Sequence, residues 1–128
     1  MRVYVPVTSS GLAEVAARRG LTAPLTAHAV TDAVREALAD GDVDDWEYAA
    51  LTAAADASDA LRVAGDRPRR FVLAVDAESV QPGEGSEVRV LSDVAWADIA
   101  AAHADTVDHA ADDDELAWFA RQEIPDLL

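Results

Sequence analysis

Runs of apolar and alternating residues predict four β-strands along the chain. They cover residues 2–7, 25–30, 70–75 and 87–91. Residues 71–75 are apolar without interruption, which is typical of a strand in the middle of a sheet that is covered on both faces. Residues 87–91 alternate, which predicts one solvent-facing side, and we expect this strand to form a hairpin with residues 70–75. Pro6 lacks a ladder N–H, so the first strand should end there or lie at an edge.

Helical spacing of apolar residues predicts three helices in the first half of the chain. They cover residues 11–19, 32–39 and 42–64. Residues 8–10 and Thr31 offer hydroxyl groups for N-caps, and Gly20 and Gly41 interrupt the helical pattern. The third helix has an apolar stripe made of Trp46, Ala50, Ala53, Ala57, Ala60 and Leu61. This stripe is expected to face the core.

The second half of the chain gives a weaker helical signal. Ser92 or Asp93 can cap a short helix that carries Val94, Trp96 and Ile99. Residues 100–105 fit either a continuation of that helix or a final strand. Residues 112–115 place four acidic groups where the positive end of a last helix would lie, and that helix carries Leu116, Phe119 and Ala120 and ends at Pro125.

The order of these elements predicts the fold class. A chain of 128 residues is one domain by length, and 51% hydrophobic residues suffice for a core. Strands and helices alternate without a clear linker or internal repeat. The sequence therefore predicts one α+β domain over residues 1–128, a sandwich of a mixed four- to five-stranded sheet with packed helices.

Charge narrows the classes of partner. Twenty-five acidic residues against ten basic ones give a net charge of -15, and all ten cations are arginine. A field of that sign repels nucleic acid and anionic membranes and favours cationic partners. We therefore expect no direct nucleic-acid or membrane partner. Oligomeric state cannot be read from the sequence.

Targeting signals do not stand out. The first six residues are too short and too broken for a signal peptide, and no apolar run approaches the roughly 20 residues that span a bilayer. There is no cysteine from which to read a redox compartment. The default expectation is a cytoplasmic protein.

Several segments together resemble a known family. They are residues 1–6, 23–27, 30–31, 34–36, 47–51 and 118–128, the last reading Trp-Phe-Ala-Arg-Gln-Glu-Ile-Pro-Asp-Leu-Leu. With these segments the chain resembles a small uncharacterised family of actinobacterial proteins, a domain of unknown function. The resemblance runs through the whole chain and is most specific at the C-terminal stretch. It implies no activity, cofactor or catalytic residue.

One group of side chains is rich in metal-ligand types. It consists of His103, Asp105, Asp108 and His109. Imidazole and carboxylate suit zinc, manganese or iron, and on a helix the last three would share one side. The spacing matches no known ligand motif, so a solvated acidic loop is the competing interpretation, and we predict no metal and no cofactor.

Other charged clusters have ordinary structural explanations. The acids at 112–115 could hold a hard cation but lack the pattern of a calcium loop. Five arginines could form an anion site or pair with surface acids: Arg18, Arg19, Arg67, Arg69 and Arg70. His28 lies in an apolar stretch and is interpreted as a core or hinge residue. No serine lies in a nucleophile elbow, and no catalytic residue is predicted.

The C-terminal tail is the segment with the most functional promise. It carries Ile124, Asp126, Leu127 and Leu128. An apolar end of this kind can bind the groove of a partner, or it can pack against its own domain. Three exposed aliphatic residues would form an aggregation-prone apolar patch, so we favour packing of the tail on the core of its own domain.

Three functions remain compatible with the sequence. The first is a non-catalytic acidic interaction domain that binds a protein with a basic surface. The second is a small metal-dependent hydrolase that uses the histidine and aspartate group above. The third is an acidic mimic of nucleic acid that occupies a DNA-binding protein.

Overall fold

The computed structural model describes all residues, 1–128, as a sheet with helices on its two faces. The strands are β1 (Arg2–Val7), β2 (Gly20–Leu21), β3 (Leu25–His28), β4 (Phe71–Asp76), β5 (Val80–Pro82), β6 (Glu87–Val90), β7 (Val94–Ala95), β8 (Ile99–Ala104) and β9 (Ala117–Ala120). The α-helices are α1 (Ser9–Arg18), α2 (Asp32–Ala37) and α3 (Val43–Leu61), and 3-10 helices cover Trp96–Asp98 and Arg121–Leu127. None of the α-helices has the length and apolar character needed to cross a membrane.

Seven strands form the main sheet, in the order β5-β6-β3-β1-β4-β8-β9, and every neighbouring pair is antiparallel. The α+β class is confirmed, but the mixed sheet of four to five strands is wrong. Strand β6 pairs with β3 and β5, so the expected hairpin with β4 is also wrong. Strands β2 and β7 pair separately as a small two-stranded sheet.

Two of the additional strands come from alanine-rich segments. Within residues 100–105, which fit either a helix or a strand by pattern, positions 100–104 belong to β8, while Ala117–Ala120, expected in a helix, forms β9. The short helix expected after Ser92 is replaced by β7 and one 3-10 turn. Alanine favours helices locally, so the pairing of β8 with β4 and β9 overrides local propensity here.

The centre of the sheet is formed by β1 and β4. All five residues of 71–75 are buried, which confirms the predicted interior strand. Strand β1 does not lie at an edge: Pro6 lies opposite Val72 of β4. On its other side, β1 pairs with β3 only at Tyr4 opposite His28. The missing N–H of Pro6 therefore breaks no hydrogen-bond ladder on that side.

Side chains fix where the helices begin. The hydroxyls of Thr8 and Thr31 accept hydrogen bonds from the third backbone N–H beyond them, at 3.2 and 3.3 Å. Asp42 and Asp45 exchange side-chain and backbone hydrogen bonds at the start of α3. The caps at Thr8 and Thr31 confirm the N-cap candidates of the sequence, although α1 begins at Ser9 and not at residue 11.

Helix α3 packs on one face of the sheet through small residues. Ala50, Ala54 and Ala55 contact Tyr4, Val72 and Ala74 of β1 and β4. The predicted stripe is therefore displaced, since Leu61 is exposed and the buried face instead continues to Ser58. The Ser58 hydroxyl donates to the carbonyl of Val7 at 2.7 Å and accepts from the N–H of Phe71 at 3.0 Å, which satisfies it at full burial.

The opposite face holds the larger part of the core. Helix α1 contributes Leu12 and Val15, which pack with apolar residues of β1, β4, β6 and β8. The C-terminal 3-10 helix covers the same face with Ile124, which is fully buried. Leu127 packs beside it, whereas Asp126 and Leu128 are exposed. The tail therefore packs on its own core, as the sequence favoured, although as a 3-10 helix that contains Pro125.

Shortening the buried tail residue should destabilise the fold. We expect Ile124→Ala to lower the free energy of unfolding by about 2–5 kcal/mol, because it leaves a cavity in the core. Leu128→Ala is the matched control: its side chain is half exposed, so the change should stay within about 0.5 kcal/mol. Urea unfolding measures both. Equal effects of the two substitutions would show that the tail is not part of the core.

Candidate ligand-binding cleft

A cleft of about 280 Å³ opens between α3 and the outer strands β8 and β9. We call it the aromatic–acidic cleft. Its lining residues are Tyr48, Leu51, Thr52, Ala55, Arg70, His103, Asp112, Asp114, Glu115, Leu116 and Trp118.

The cleft exists because α3 does not cover the whole sheet. The helix packs on β1, β3 and β4, and β8 and β9 extend beyond it on the same face. His103 of β8 and Trp118 of β9 are opposite one another in register, so both side chains project towards the cleft side. Trp118 is 62% exposed, which is unusual for so large an apolar ring.

The wall opposite these strands is one face of α3. Tyr48, Leu51, Thr52 and Ala55 line the cleft, and their spacing of three and four residues places them in one row along the helix. Tyr48 is 56% exposed. The cleft therefore has an aromatic ring on each side, one from the helix and one from the edge strand.

The rim is an acidic loop that connects β8 to β9. Asp112, Asp114 and Glu115 are exposed and line the cleft. The carboxylate of Asp114 accepts a hydrogen bond from the N–H of Ala111 at 3.0 Å, which closes a turn within the loop. Neither Asp112 nor Glu115 forms a salt bridge through its carboxylate.

The buried side chain of Arg70 fixes this loop through hydrogen bonds. It is 4% exposed, and its guanidinium donates to both carboxylate oxygens of Asp105, at 2.8 and 3.0 Å. It also donates to the carbonyls of Ala111, Asp112 and Asp114, at 3.0 to 3.1 Å. The hydrogen bond to Asp105 raises the pKa of Arg70 despite burial. One cation therefore fixes the backbone on which the acidic rim is built.

His103 forms part of the floor of the cleft. Its ring packs edge-on against Tyr4, with centroids 6.4 Å apart and planes at 66°. Burial lowers the pKa of His103, and the positive charge of Arg2 lowers it further. Both effects favour the neutral form of the imidazole.

Comparison with known proteins gives a family. The profile described as "Family of unknown function (DUF6912)" matches residues 1–128. The chain belongs to DUF6912. No curated protein and no solved structure matches this chain.

In this DUF6912 chain, the metal-ligand candidates are not brought together. His103 lies in the cleft, Asp105 pairs with Arg70, and Asp108 pairs with Arg69 at 2.7 Å. His109 is exposed in a loop with a positive φ of 55°, so Asp105, Asp108 and His109 do not share one side of a helix. No group of three or more histidine and acidic residues is arranged to hold a metal ion.

The other charged residues singled out from the sequence also do not form a common binding site. The acids at 112–115 lie in the loop and do not open a helix. The arginines do not share an anion site: Arg18 pairs with Glu14, Arg69 with Asp108, and Arg19 lies over Trp96. His28 is half-buried, and its Nδ1 lies 2.8 Å from the hydroxyl of Ser86. Burial lowers the pKa of His28.

Sequence reasoning missed Tyr48 and Trp118. The pattern places Trp118 in a helix, and both aromatic rings are expected in the core by their size, whereas the structure exposes them. A usable signal existed: residues 48, 51, 52 and 55 have helical spacing and lie beside the proposed core stripe. The opposite wall had no such signal, because it depends on the strand pairing of β8 with β9.

Removing the buried Arg70 should cost far more stability than removing its partly exposed neighbour Arg69. Arg70→Met leaves Asp105 buried without its partner, so we expect a loss of about 3–5 kcal/mol in the free energy of unfolding. Arg69→Met is the control, because the Arg69–Asp108 pair is partly exposed to solvent, and its loss should cost much less stability. Hydrogen exchange should additionally show residues 105–116 opening in Arg70→Met. An Arg70→Met protein as stable as Arg69→Met would contradict this role.

The lowered pKa of His103 predicts an acid-sensitive fold. The unfolded histidine titrates near 6.5 and the folded one below it, so in that interval the unfolded chain binds more protons. Stability should therefore decrease as the pH falls from about 7 through the lowered pKa. His103→Gln should remove its share of this decrease and leave the share of His28. Proton NMR of the His103 ring checks the pKa directly, and a value above 6.5 would contradict the prediction.

Proposed function

We propose that this chain is a non-catalytic interaction domain that binds a basic protein surface through the aromatic–acidic cleft, and that it does so in the cytoplasm. The observation that carries the proposal is the combination of two exposed aromatic rings, Tyr48 and Trp118, with an acidic rim at the same cleft. Tryptophan and tyrosine are the side chains most often found as energetic anchors of protein interfaces.

Charge supports the same partner class. A net charge of -15 attracts cationic surfaces over distances set by the ionic strength. Within the cleft, the only arginine is already neutralised by Asp105, so Asp112, Asp114 and Glu115 dominate the local field. A basic partner would therefore be both steered towards the domain and matched at the contact.

The contact surface is proposed to extend along α3. A second cavity, lined by residues 37–41, Asp45, Tyr48 and Ala49, adjoins the cleft and shares Tyr48 with it. Asp44 and Glu47 on the first turns of α3 are also exposed. Tyr48 would thus lie near the centre of a larger acidic surface, where interface anchors usually lie.

Two charge-matched variants test the proposal. Asp112→Lys/Glu115→Lys alters the rim, whereas Glu78→Lys/Glu84→Lys makes the same charge change on exposed residues outside the cleft. In affinity capture from native cell extract, the rim variant should lose a basic partner that the control variant retains. Association with that partner should also slow as salt rises from about 50 to 500 mM.

The matched design separates local from general electrostatics. Melting curves first establish that both variants are folded. Equal loss in the two variants would show that net charge alone recruits the partner, and loss in neither would exclude the cleft. Displacement of a captured DNA-binding protein by DNA would support nucleic-acid mimicry instead.

A further inference from the structure

We infer that the aromatic–acidic cleft receives an arginine side chain of the partner, with its guanidinium stacked on Trp118 and paired with the rim carboxylates. The inference rests on the proposed function and names the group that the cleft recognises.

Two of the three tryptophans are capped by an arginine of the same chain. The Cζ atom of Arg19 lies 4.2 Å from the ring centroid of Trp96, and that of Arg35 lies 5.9 Å from the ring centroid of Trp46. Both rings are half-buried. Trp118 is the third tryptophan, the most exposed, and no arginine of the chain lies over it. A cationic group from outside would complete the same contact.

The charges beside Trp118 fit a guanidinium. The carboxylates of Asp112 and Glu115 form no hydrogen bond or salt bridge within the chain, and both line the cleft with Trp118. The nearby guanidinium of Arg70 cannot serve them, because it is engaged with Asp105 and three backbone carbonyls. Two acceptors are therefore available to an incoming cation that also meets the ring.

The walls of the cleft suit the stem of a long side chain. Leu51, Ala55 and Leu116 present apolar surface between the helix and the rim. A cavity of about 150 Å³ admits a benzene ring, so about 280 Å³ has room for a guanidinium together with its methylene groups. The methylenes would pack on the apolar wall while the charged head meets the rim.

Arginine fits this arrangement better than lysine does. Its planar group stacks on an aromatic face and presents several donors in a fixed fork, whereas an ammonium is compact and strongly hydrated. Citrulline keeps the shape of arginine but has no charge. We therefore expect affinities in the order arginine, lysine, citrulline.

NMR titration of the wild-type protein tests this order. The probes are acetylated, amidated pentapeptides of glycine with one central arginine, lysine or citrulline. The arginine peptide should shift the indole N–H signal of Trp118, identified by its absence in Trp118→Phe, and leave the signals of Trp46 and Trp96 in place. It should bind about tenfold more tightly than the citrulline peptide, and its affinity should fall with salt.

Variants locate the binding. Trp118→Leu should abolish the shifts that the arginine peptide causes in the backbone amides of the cleft. Asp112→Asn/Glu115→Gln should weaken binding several-fold, whereas Glu78→Gln/Glu84→Gln, with the same loss of charge, should not. Backbone spectra confirm that each variant is folded.

Three results would overturn the inference: equal affinity for all three peptides, shifts at Trp46 or Trp96 instead of Trp118, or full binding by Trp118→Leu. If a partner depends on the rim but the arginine peptide does not bind, the arginine site is overturned and the proposed interaction domain still stands. Arginine binding at Trp118 without any rim-dependent partner supports the arginine site and contradicts the proposed function.

Discussion

The buried ion pair of Arg70 and Asp105 is the contact on which the cleft depends. It joins the start of β4 to the end of β8 and, through three further carbonyls, fixes the loop that leads into β9. Both side chains are at most 5% exposed, so neither can exchange its partner for water at low cost. A loop of acidic residues would otherwise repel itself and remain mobile. One buried cation gives it a defined backbone.

The second constraint is the small size of the side chains on α3. Ala50, Ala54 and Ala55 let the helix approach the centre of the sheet closely, and the buried hydroxyl of Ser58 joins it to β1 and β4. A single helix that sits this close to the centre cannot also cover the outermost strands of a seven-stranded sheet. The uncovered part is the aromatic–acidic cleft, so the site follows from the difference between the width of one helix and that of the sheet.

The acidic residues of the chain have different roles in different parts of the molecule. Several acids are structural: Asp42 caps α3, Asp66 accepts hydrogen bonds from the backbone of Ser10 and Val63, and Asp105 is a buried counter-ion. The hydrogen bonds to Asp66 hold its pKa at about 2. The rim acids Asp112 and Glu115 have no comparable partner within the chain. Unpaired acids also lie elsewhere on the surface, as at Glu78 and Glu84, so the position of the rim acids beside Trp118 is what distinguishes the candidate site.

Local pattern by itself determined the class of fold, the cap at Thr31, the buried strand at 71–75 and the packing of Ile124, because caps and apolar runs act through neighbouring residues. It could not determine the number of strands. Residues 100–104 and 117–120 are rich in alanine, which favours helix locally, and only pairing across the sheet makes them strands. Arg70 lies far along the chain from the loop it supports, and Tyr48 and Trp118 come from opposite walls. Tertiary structure decided the site, because its parts meet only through long-range strand pairing and a buried charge.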